Sequence, residues 1–373
     1  MEVLLENFNY ITWQMLVMWA IGGVLIYLAI AKEMEPTLLL PMGFGAILVN
    51  LPIAVPDTGV QHVLNTLFSI GIEGAELFPL MLFIGIGAMI DFTPLLTNPK
   101  LMIFGAAAQF GIFFTLAAAS LLGFDIQDAA SIAIIGAADG PTSIFVATEL
   151  GSKYLGAIMV AAYSYMALVP LVQPPIIKLC TTKAERKIKM QYKGKPVSKL
   201  TKILFPIVVT VIVGLVAPDA VALIGFLMFG NLIRECGVMS SISETAQNAL
   251  ANLITIFLGI TIASQMKAAE FLKLDTLIII GLGLVAFVFD TFGGIMVAKI
   301  MNLFSKEKIN PMIGAAGISA FPMSARVVHK MGLEEDNQNF LLMHSIGVNV
   351  SGQIASVIAG GLILALVKAM IGG

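Results

Sequence analysis

Charge is scarce in this sequence. Only 12% of its 373 residues are Asp, Glu, Lys or Arg, about half the share of a soluble domain. So few charges could not cover the surface of a water-soluble globule this large, and the apolar content excludes disorder. Cysteine is nearly absent. Cys180 and Cys236 stand far apart, so no disulfide framework or zinc site follows. The three histidines, His62, His329 and His344, fall at no metal-ligand spacing. No P-loop, GxSxG or zinc motif occurs, and Gly43-x-Gly45 and Gly85-x-Gly87 are packing glycines rather than dinucleotide fingerprints. A net charge of −2 leaves no basic footprint for nucleic acid. What is abundant is apolar: 58% of residues are hydrophobic and the mean hydropathy is +0.95. That composition specifies a polytopic α-helical membrane protein. Glu2 and Glu6 precede the first apolar run with no basic residue, so that run reads as a retained span and not a signal peptide.

Apolar runs broken by Pro, Gly and charge give twelve segments. The first six are 12–31, 38–55, 77–92, 101–123, 129–149 and 154–178. The second six are 203–217, 219–233, 247–266, 275–299, 310–330 and 340–370. Between them lies a basic loop carrying nine of the 21 Lys and Arg residues: Lys178, Lys183, Arg186, Lys187, Lys189, Lys193, Lys195, Lys199 and Lys202. The positive-inside rule places it in the cytoplasm. Loops 56–76 (Asp57, Glu73, Glu76) and 124–128 (Asp125, Asp128) contain no Lys or Arg and read as external. Lys32, Lys100, Lys299, Lys306 and Lys308 read as internal. These sides agree only if 129–149 and 310–330 each enter and leave on one side. Lys267 and Lys273, in an external loop, fit this scheme poorly. The expected fold is all-α, with about ten transmembrane helices in two inverted repeats, each with a re-entrant or broken hairpin. The repeats are 1–180 and 203–373, joined by the cytoplasmic loop 181–202. Ile135 to Asp139 (IGAAD) recurs as Ile313 to Gly317 (IGAAG), as such a repeat requires.

Paired interrupted segments point to a midplane site for an ion or substrate. Asp139 stands in an apolar stretch, where an ionised carboxylate at the bilayer centre costs about 2.5–3.5 kcal/mol and needs a cation, a proton or a partner. Gly140 and Pro141 interrupt the helix behind it. Freed carbonyls, with Thr142 and Ser143, make a hard-oxygen set suited to Na⁺. A plain helix cap near the surface is the competing reading. In the last segment Asn349, Ser351, Gln353 and Ser356 are polar, and Asn349, Gln353 and Ser356 share one face. Ordinary interhelical hydrogen bonding is the alternative there. Gly352, Gly360 and Gly361 permit close backbone approach. Tyr163 and Tyr165 lie about ten residues into their span. Asp91, Arg234, Glu235 and Asp290 read as snorkelling or paired. Arg326 and His329 close the second hairpin, able to meet an anionic substrate or to orient the loop.

Four stretches carry a resemblance: Gly136 to Thr142 (GAADGPT), Ala162 to Pro175 (AYSYMALVPLVQPP), Gly317 to Arg326 (GISAFPMSAR) and Asn349 to Gln353 (NVSGQ). Together, and over nearly the whole chain, the sequence resembles the β subunit of the sodium-pumping, biotin-dependent decarboxylases, whose substrates are oxaloacetate, methylmalonyl-CoA, glutaconyl-CoA and malonate. The resemblance implies a subunit in the cell membrane that decarboxylates carboxybiotin, consumes a proton and exports Na⁺. It implies partners: a carboxyltransferase α subunit, a biotin carrier, a small membrane γ or δ subunit, and further copies of this chain. The family's essential Asp falls on Asp139, its polar late region on Asn349, Gly352 and Ser356, and its site tyrosine on Tyr165. The Na⁺ set expected on these grounds is Asp139, Thr142, Asn349, Ser351, Gly352 and Ser356. Asp139 and Tyr165 are the expected catalytic groups, and Arg326 the expected carboxybiotin contact. No Met-Lys-Met attachment motif occurs; Gln265 to Ala268 (QMKA) is nearest, so carboxybiotin comes from a partner. The compact length resembles the acyl-CoA branch. A plain Na⁺-coupled transporter or Na⁺/H⁺ antiporter is the rival reading.

Overall fold

The structure is a computed structural model that describes residues 6–52, 59–192, 194 and 196–372. Glu2, Asp57, Lys193 and Lys195 lie outside the described residues. The described chain is helical throughout. The first half contains α1 (Trp13–Ala31), α2 (Pro36–Val49), α3 (Val60–Glu73), α4 (Leu77–Met89), α5 (Pro99–Leu121), α6 (Ile126–Ala137), α7 (Gly140–Glu149) and α8 (Leu155–Cys180). The second contains α9 (Lys199–Val216), α10 (Val221–Glu235), α11 (Ser240–Ala263), α12 (Leu274–Phe304), α13 (Met312–Ala315), α14 (Met323–Glu335) and α15 (Leu342–Ile371). Among the described residues, seven helices are long and apolar enough to cross a membrane, and α3 with α4, bent by 63°, makes an eighth. The shorter α2 and α10 complete ten crossings when the chain is followed from side to side. α6–α7 and α13–α14 fold back as hairpins.

Sidedness follows from where the charges end up. Lys202 of α9 lies near Asp91 (3.9 Å) and Glu235 (3.7 Å), gathering the ends of α4, α9 and α10 on the side of the basic loop. Arg186 in that loop pairs with Glu335 at the end of α14 (2.6 Å). On the opposite side Lys153 pairs with Asp125 (2.7 Å). Of the two external lysines that fitted the charge rule poorly, Lys267 and Lys273, the second is bonded to Glu270 and so adds little net charge.

The contacts come in matched pairs. α1 packs on α2 as α9 packs on α10. α2 packs on α11 as α10 packs on α4. α8 packs on α12 as α15 packs on α5, and α7 on α15 as α14 on α8, while α5 and α12 pack on each other. Exchanging the two halves maps this set onto itself, as a two-fold inverted repeat requires. Small residues allow the close approaches, since van der Waals packing is the main attraction between helices in lipid. A Cβ on Gly22 would stand 2.7 Å from the Gly43 carbonyl oxygen, and one on Gly43 equally close to that of Gly22.

Several boundaries differ from the sequence reading: the segment expected at 247–266 begins at Ser240, the one expected at 38–55 ends as a helix at Val49, and two further stretches are helical where no helix is expected. Residues 60–73, expected in an external loop, are helical. Leu64, Phe68 and Ile72 are buried at four-residue spacing, a one-sided stripe that averaged hydropathy passes over. The second hairpin runs on to Glu335, whose carboxylate pairs with Arg186.

Candidate functional site

The first hairpin is broken at two residues. Ala138, at φ +52°, ends α6 in the left-handed region, and extended Asp139 then caps α7, with Pro141 in the first turn, where a missing N–H costs nothing. The second break spans 316–322 and includes the cis peptide Phe321–Pro322. Each hairpin is tied across its break by a serine two residues after its proline. Ser143 donates to the Ile134 carbonyl (3.4 Å) and Ser324 to the Ala315 carbonyl (3.1 Å). The two breaks meet: the Ser319 N–H donates to the Ala137 carbonyl at 3.0 Å.

Asp139 is 3% exposed. Its Oδ2 accepts from the Thr142 hydroxyl (2.8 Å), the Ser356 hydroxyl (2.8 Å) and the Gln353 amide (3.0 Å), and its Oδ1 from the Thr142 N–H (3.4 Å). Every contact is a neutral donor. Buried charges are otherwise expensive, and charge-assisted bonds of this kind are the strong ones. The set can serve two states. A hydroxyl can donate to a carboxylate or lend a lone pair to a cation, and Gln353 does the same by turning its amide.

Asn349 belongs to the second break. Its amide donates to the carbonyls of Ala316 (3.1 Å) and Ile318 (2.7 Å), and its buried Oδ1 has no partner. Ser319 donates from its hydroxyl to the Gly352 carbonyl (3.0 Å). A Cβ on Gly352 would run into the Gly317 carbonyl, so this is where α15 presses closest to the break. Gln173 of α8 reaches the other face of the second hairpin, donating to Ala315 (2.7 Å) and Ser324 (2.9 Å). The prolines around it, Pro170, Pro174 and Pro175, interrupt the α8 ladder there.

The structure thus brings Asp139, Thr142 and Ser356 together, with Asn349 and Gly352 at the adjoining break. Ser351 faces away, donating to the carbonyls of Leu101 (3.0 Å) and Val348 (2.6 Å). The Tyr165 hydroxyl donates to the Ile280 carbonyl of α12 (2.5 Å), with its ring near Gly283. Tyr163 lies against Gly140 instead, so close that a Cβ there would enter its ring, and its buried hydroxyl has no partner. Arg326 is exposed on α14, its charge felt by Glu35 in the α1–α2 turn. Gln353, which holds Asp139, escaped the sequence reading of the Na⁺ set, and Ser319, Tyr163 and Asp290 are buried polar groups near the breaks that it did not single out for that set. The shared face of α15 pointed to Gln353. Nothing in the local pattern set Tyr163 above Tyr165. Asp290 is fully buried in α12. It accepts from the Gly111 N–H (2.5 Å) through Oδ1, while Oδ2 is unpartnered.

A cavity of about 650 Å³ opens beneath the second hairpin on the basic side. Lys100, Lys189, Lys308, Tyr192 and His344 line it, with Ile313 of the hairpin. The His344 ring stands edge-on to Tyr192. Arg326 is not part of its lining. Among the described residues no three His, Cys, Asp or Glu side chains converge as a metal site.

Residues 14–367 match the family model described as Na⁺-transporting oxaloacetate decarboxylase beta subunit. The chain is 49% identical to methylmalonyl-CoA decarboxylase subunit beta of Propionigenium modestum, covering 94% of each chain. It is 49% identical to glutaconyl-CoA decarboxylase subunit beta of Acidaminococcus fermentans, covering 97% of this chain and 96% of that one. Oxaloacetate decarboxylase beta chain of Klebsiella pneumoniae is 46% identical, with 95% of each covered.

Proposed function

The chain belongs to the β-subunit family of the Na⁺-transporting decarboxylases, and from that premise we propose that decarboxylation of carboxybiotin drives Na⁺ outward past Asp139. It is a decarboxylase-linked sodium translocase subunit, a multi-pass protein of the cell membrane. A plain Na⁺-coupled transporter does not fit these relatives. The observation that carries the route is the crossing itself: Asp139 gripped by three reversible donors beside a second break whose carbonyls Asn349 holds.

Na⁺ is the cargo. Asp139 supplies the charge, and Thr142, Ser356, Gln353 and the free Oδ1 of Asn349 supply neutral oxygens. Protons compete for Asp139, since either cation neutralises it. The cavity on the basic side suits a carboxylated ureido ring, with Lys100, Lys189 and Lys308 to meet its carboxylate. Carboxybiotin brings the labile N–CO₂⁻ bond. When it breaks, CO₂ leaves and the ring nitrogen takes a proton. Moving one charge outward against 100 mV costs about 2.3 kcal/mol, so loss of CO₂ must be tied to a shift of the hairpins. The boundaries of the two repeats are 1–180 and 203–373, with 181–202 between them. The carrier, the α subunit and a small membrane subunit complete the complex, with more than one copy of this chain. Most of α9 is unburied within the chain and is left for lipid or for such partners. The alignment with the Klebsiella oxaloacetate chain extends over 413 residues, against 375 and 364 for the two acyl-CoA relatives, which favours an acyl-CoA substrate for the complex.

The test is reconstitution of the chain with its small membrane partner in liposomes, free carboxybiotin, and measurement of CO₂ release and ²²Na⁺ movement. Sodium-dependent release with Na⁺ transport is expected. Na⁺ flux driven by a pH gradient and indifferent to carboxybiotin would refute the proposal.

A further inference from the structure

The cytoplasmic cavity has a counterpart on the opposite side. A cavity of about 320 Å³ opens on the outer face between the starts of α8 and α12. Lys153, Tyr154 and Ala157 line one wall, Asp275 and Thr276 the other, with Lys273 at the rim. Exchanging the two halves carries α8 to α15 and α12 to α5, and the inner cavity of about 650 Å³ is walled by the starts of those two helices, at His344 and Lys100. A pair of cavities related in this way, one on each side of a midplane site, is what alternating access in an inverted repeat requires. Both lysines of the outer cavity are paired, Lys153 with Asp125 (2.7 Å) and Lys273 with Glu270, so neither closes it to a cation.

The floors of the two cavities differ. The inner one reaches Ile313 of the second hairpin, three residues before Ala316, whose carbonyl is held by Asn349. The outer one ends on an apolar layer. Ile158, Ala161, Ala162 and Tyr165 lie along one face of α8 and cluster with Ile135 of α6 and Ala147 of α7, and Tyr154 and Ala157 of the cavity pack against that cluster. From Ile158 to Tyr165 the layer is about 10 Å deep along α8. Ile135 stands four residues before Asp139, and Tyr163, from the same stretch of α8, lies against Gly140. The layer therefore stands between the outer cavity and the break at Asp139. Much of it is alanine, drawn from α5, α6, α7 and α8 (Ala119, Ala129, Ala147, Ala161 and Ala162). A dehydrated cation finds no partner among such side chains, and small ones interlock little, so α7 can slide past α8 without repacking.

We propose that the outer cavity is the external mouth of the Na⁺ path and that the alanine-rich layer beneath it is the outer gate, shut in this conformation while the inner cavity stands open. Na⁺ released from Asp139 passes along α8 through the layer into the cavity, and so to the external water. The hydrogen bond from the Tyr154 hydroxyl to Asp275 Oδ2 (3.2 Å), which joins the cavity walls, belongs to the shut state. This rests on the reading of Asp139 as the Na⁺ carrier.

The experiment uses the whole decarboxylase complex in intact cells, treated from outside with a membrane-impermeant cationic methanethiosulfonate, and then in inverted membranes with free carboxybiotin. Each variant is measured against the chain without an added cysteine. Ala157→Cys places a thiol in the mouth. It should be labelled from outside, and the adduct should cut ²²Na⁺ uptake and CO₂ release about tenfold, with recovery on reduction. Ala161→Cys places the thiol four residues deeper, in the gate. With the complex in nanodiscs it should be labelled about tenfold faster with Na⁺ and carboxybiotin together than without them. Leu122→Cys, on the outer α5–α6 turn and 62% exposed, should be labelled without loss of transport. The proposal fails if Ala157→Cys resists the reagent or transports normally once labelled, or if labelled Leu122→Cys is equally inhibited. It fails equally if labelling of Ala161→Cys is the same with and without turnover; Ala157→Cys carries the test should Ala161→Cys not assemble. Transport retained in Asp139→Asn would instead overturn the Asp139 reading and leave the labelling pattern as it is, so the two failures are distinct.

Discussion

Replacing Asp139 by Asn tests the carrier assignment most directly. The change keeps the shape. The Asn oxygen can still accept from the Thr142 N–H as a helix cap, and the hydroxyls of Thr142 and Ser356 can rotate to accept from the new amide. Folding should change by about 1 kcal/mol or less, as for an exchange between two good caps. Cation binding should change far more. Among the groups around the site Asp139 is the sole carboxylate; Thr142, Gln353, Ser356 and Asn349 are neutral. Two unit charges 4 Å apart interact by about 4 kcal/mol at an effective dielectric constant of 20, roughly a thousandfold in affinity. The assay is thermal unfolding of the purified chain over a series of Na⁺ concentrations, since a ligand that binds only the folded state raises its stability with concentration. The wild type should show a rising Tm and the variant none, at nearly equal Tm without Na⁺. If Asn at 139 keeps the Na⁺-dependent rise within about threefold in concentration, Asp139 is not the carrier.

Gly352→Ala should destabilise the fold by about 3 kcal/mol, the upper range of overpacking, because its Cβ meets the Gly317 carbonyl. Gly281→Ala, with nothing within 4 Å, should be neutral or stabilise by up to about 1 kcal/mol; denaturation in detergent compares the two. Asn349→Ala should free the carbonyls of Ala316 and Ile318 and raise the Na⁺ concentration for half-maximal decarboxylation by about tenfold, whereas equal Na⁺ dependence would remove Asn349 from the site. The Arg186 guanidinium holds the Glu335 carboxyl below its usual range. A depressed folded pKa gives stability that is present above the unfolded value, about 4.3, and lost as pH falls through the lower folded one. Protease cleavage in the 181–198 loop should therefore rise below about pH 4. In Glu335→Gln it should be raised at every pH and rise less steeply in acid, the remaining pH dependence coming from the Lys189–Asp336 pair (3.1 Å) on the same loop.

Much of this was legible from composition and charge. Hydropathy located the crossings, and the distribution of lysine alone required two segments to turn back. Both are hairpins, α6–α7 and α13–α14. The α15 stripe was legible because helical spacing puts Asn349, Gln353 and Ser356 on one face. What sequence could not decide was direction around the stretches of helix that are buried on nearly every side, 347–354 of α15 and 158–165 of α8. Ser351 is two residues from Asn349 and faces α5, and Tyr163 and Tyr165 share a span but point to different neighbours. Helix 60–73 was missed for a related reason, since its apolar side is a stripe and not a run.

The hydrogen bond from Ser319 to Ala137 joins two loop tips that arrive from opposite faces. There the chain is carried by two half-length hairpins rather than by one continuous helix. The tips can therefore shift against each other by exchanging the hydrogen bonds at their meeting point, with no helix having to unwind.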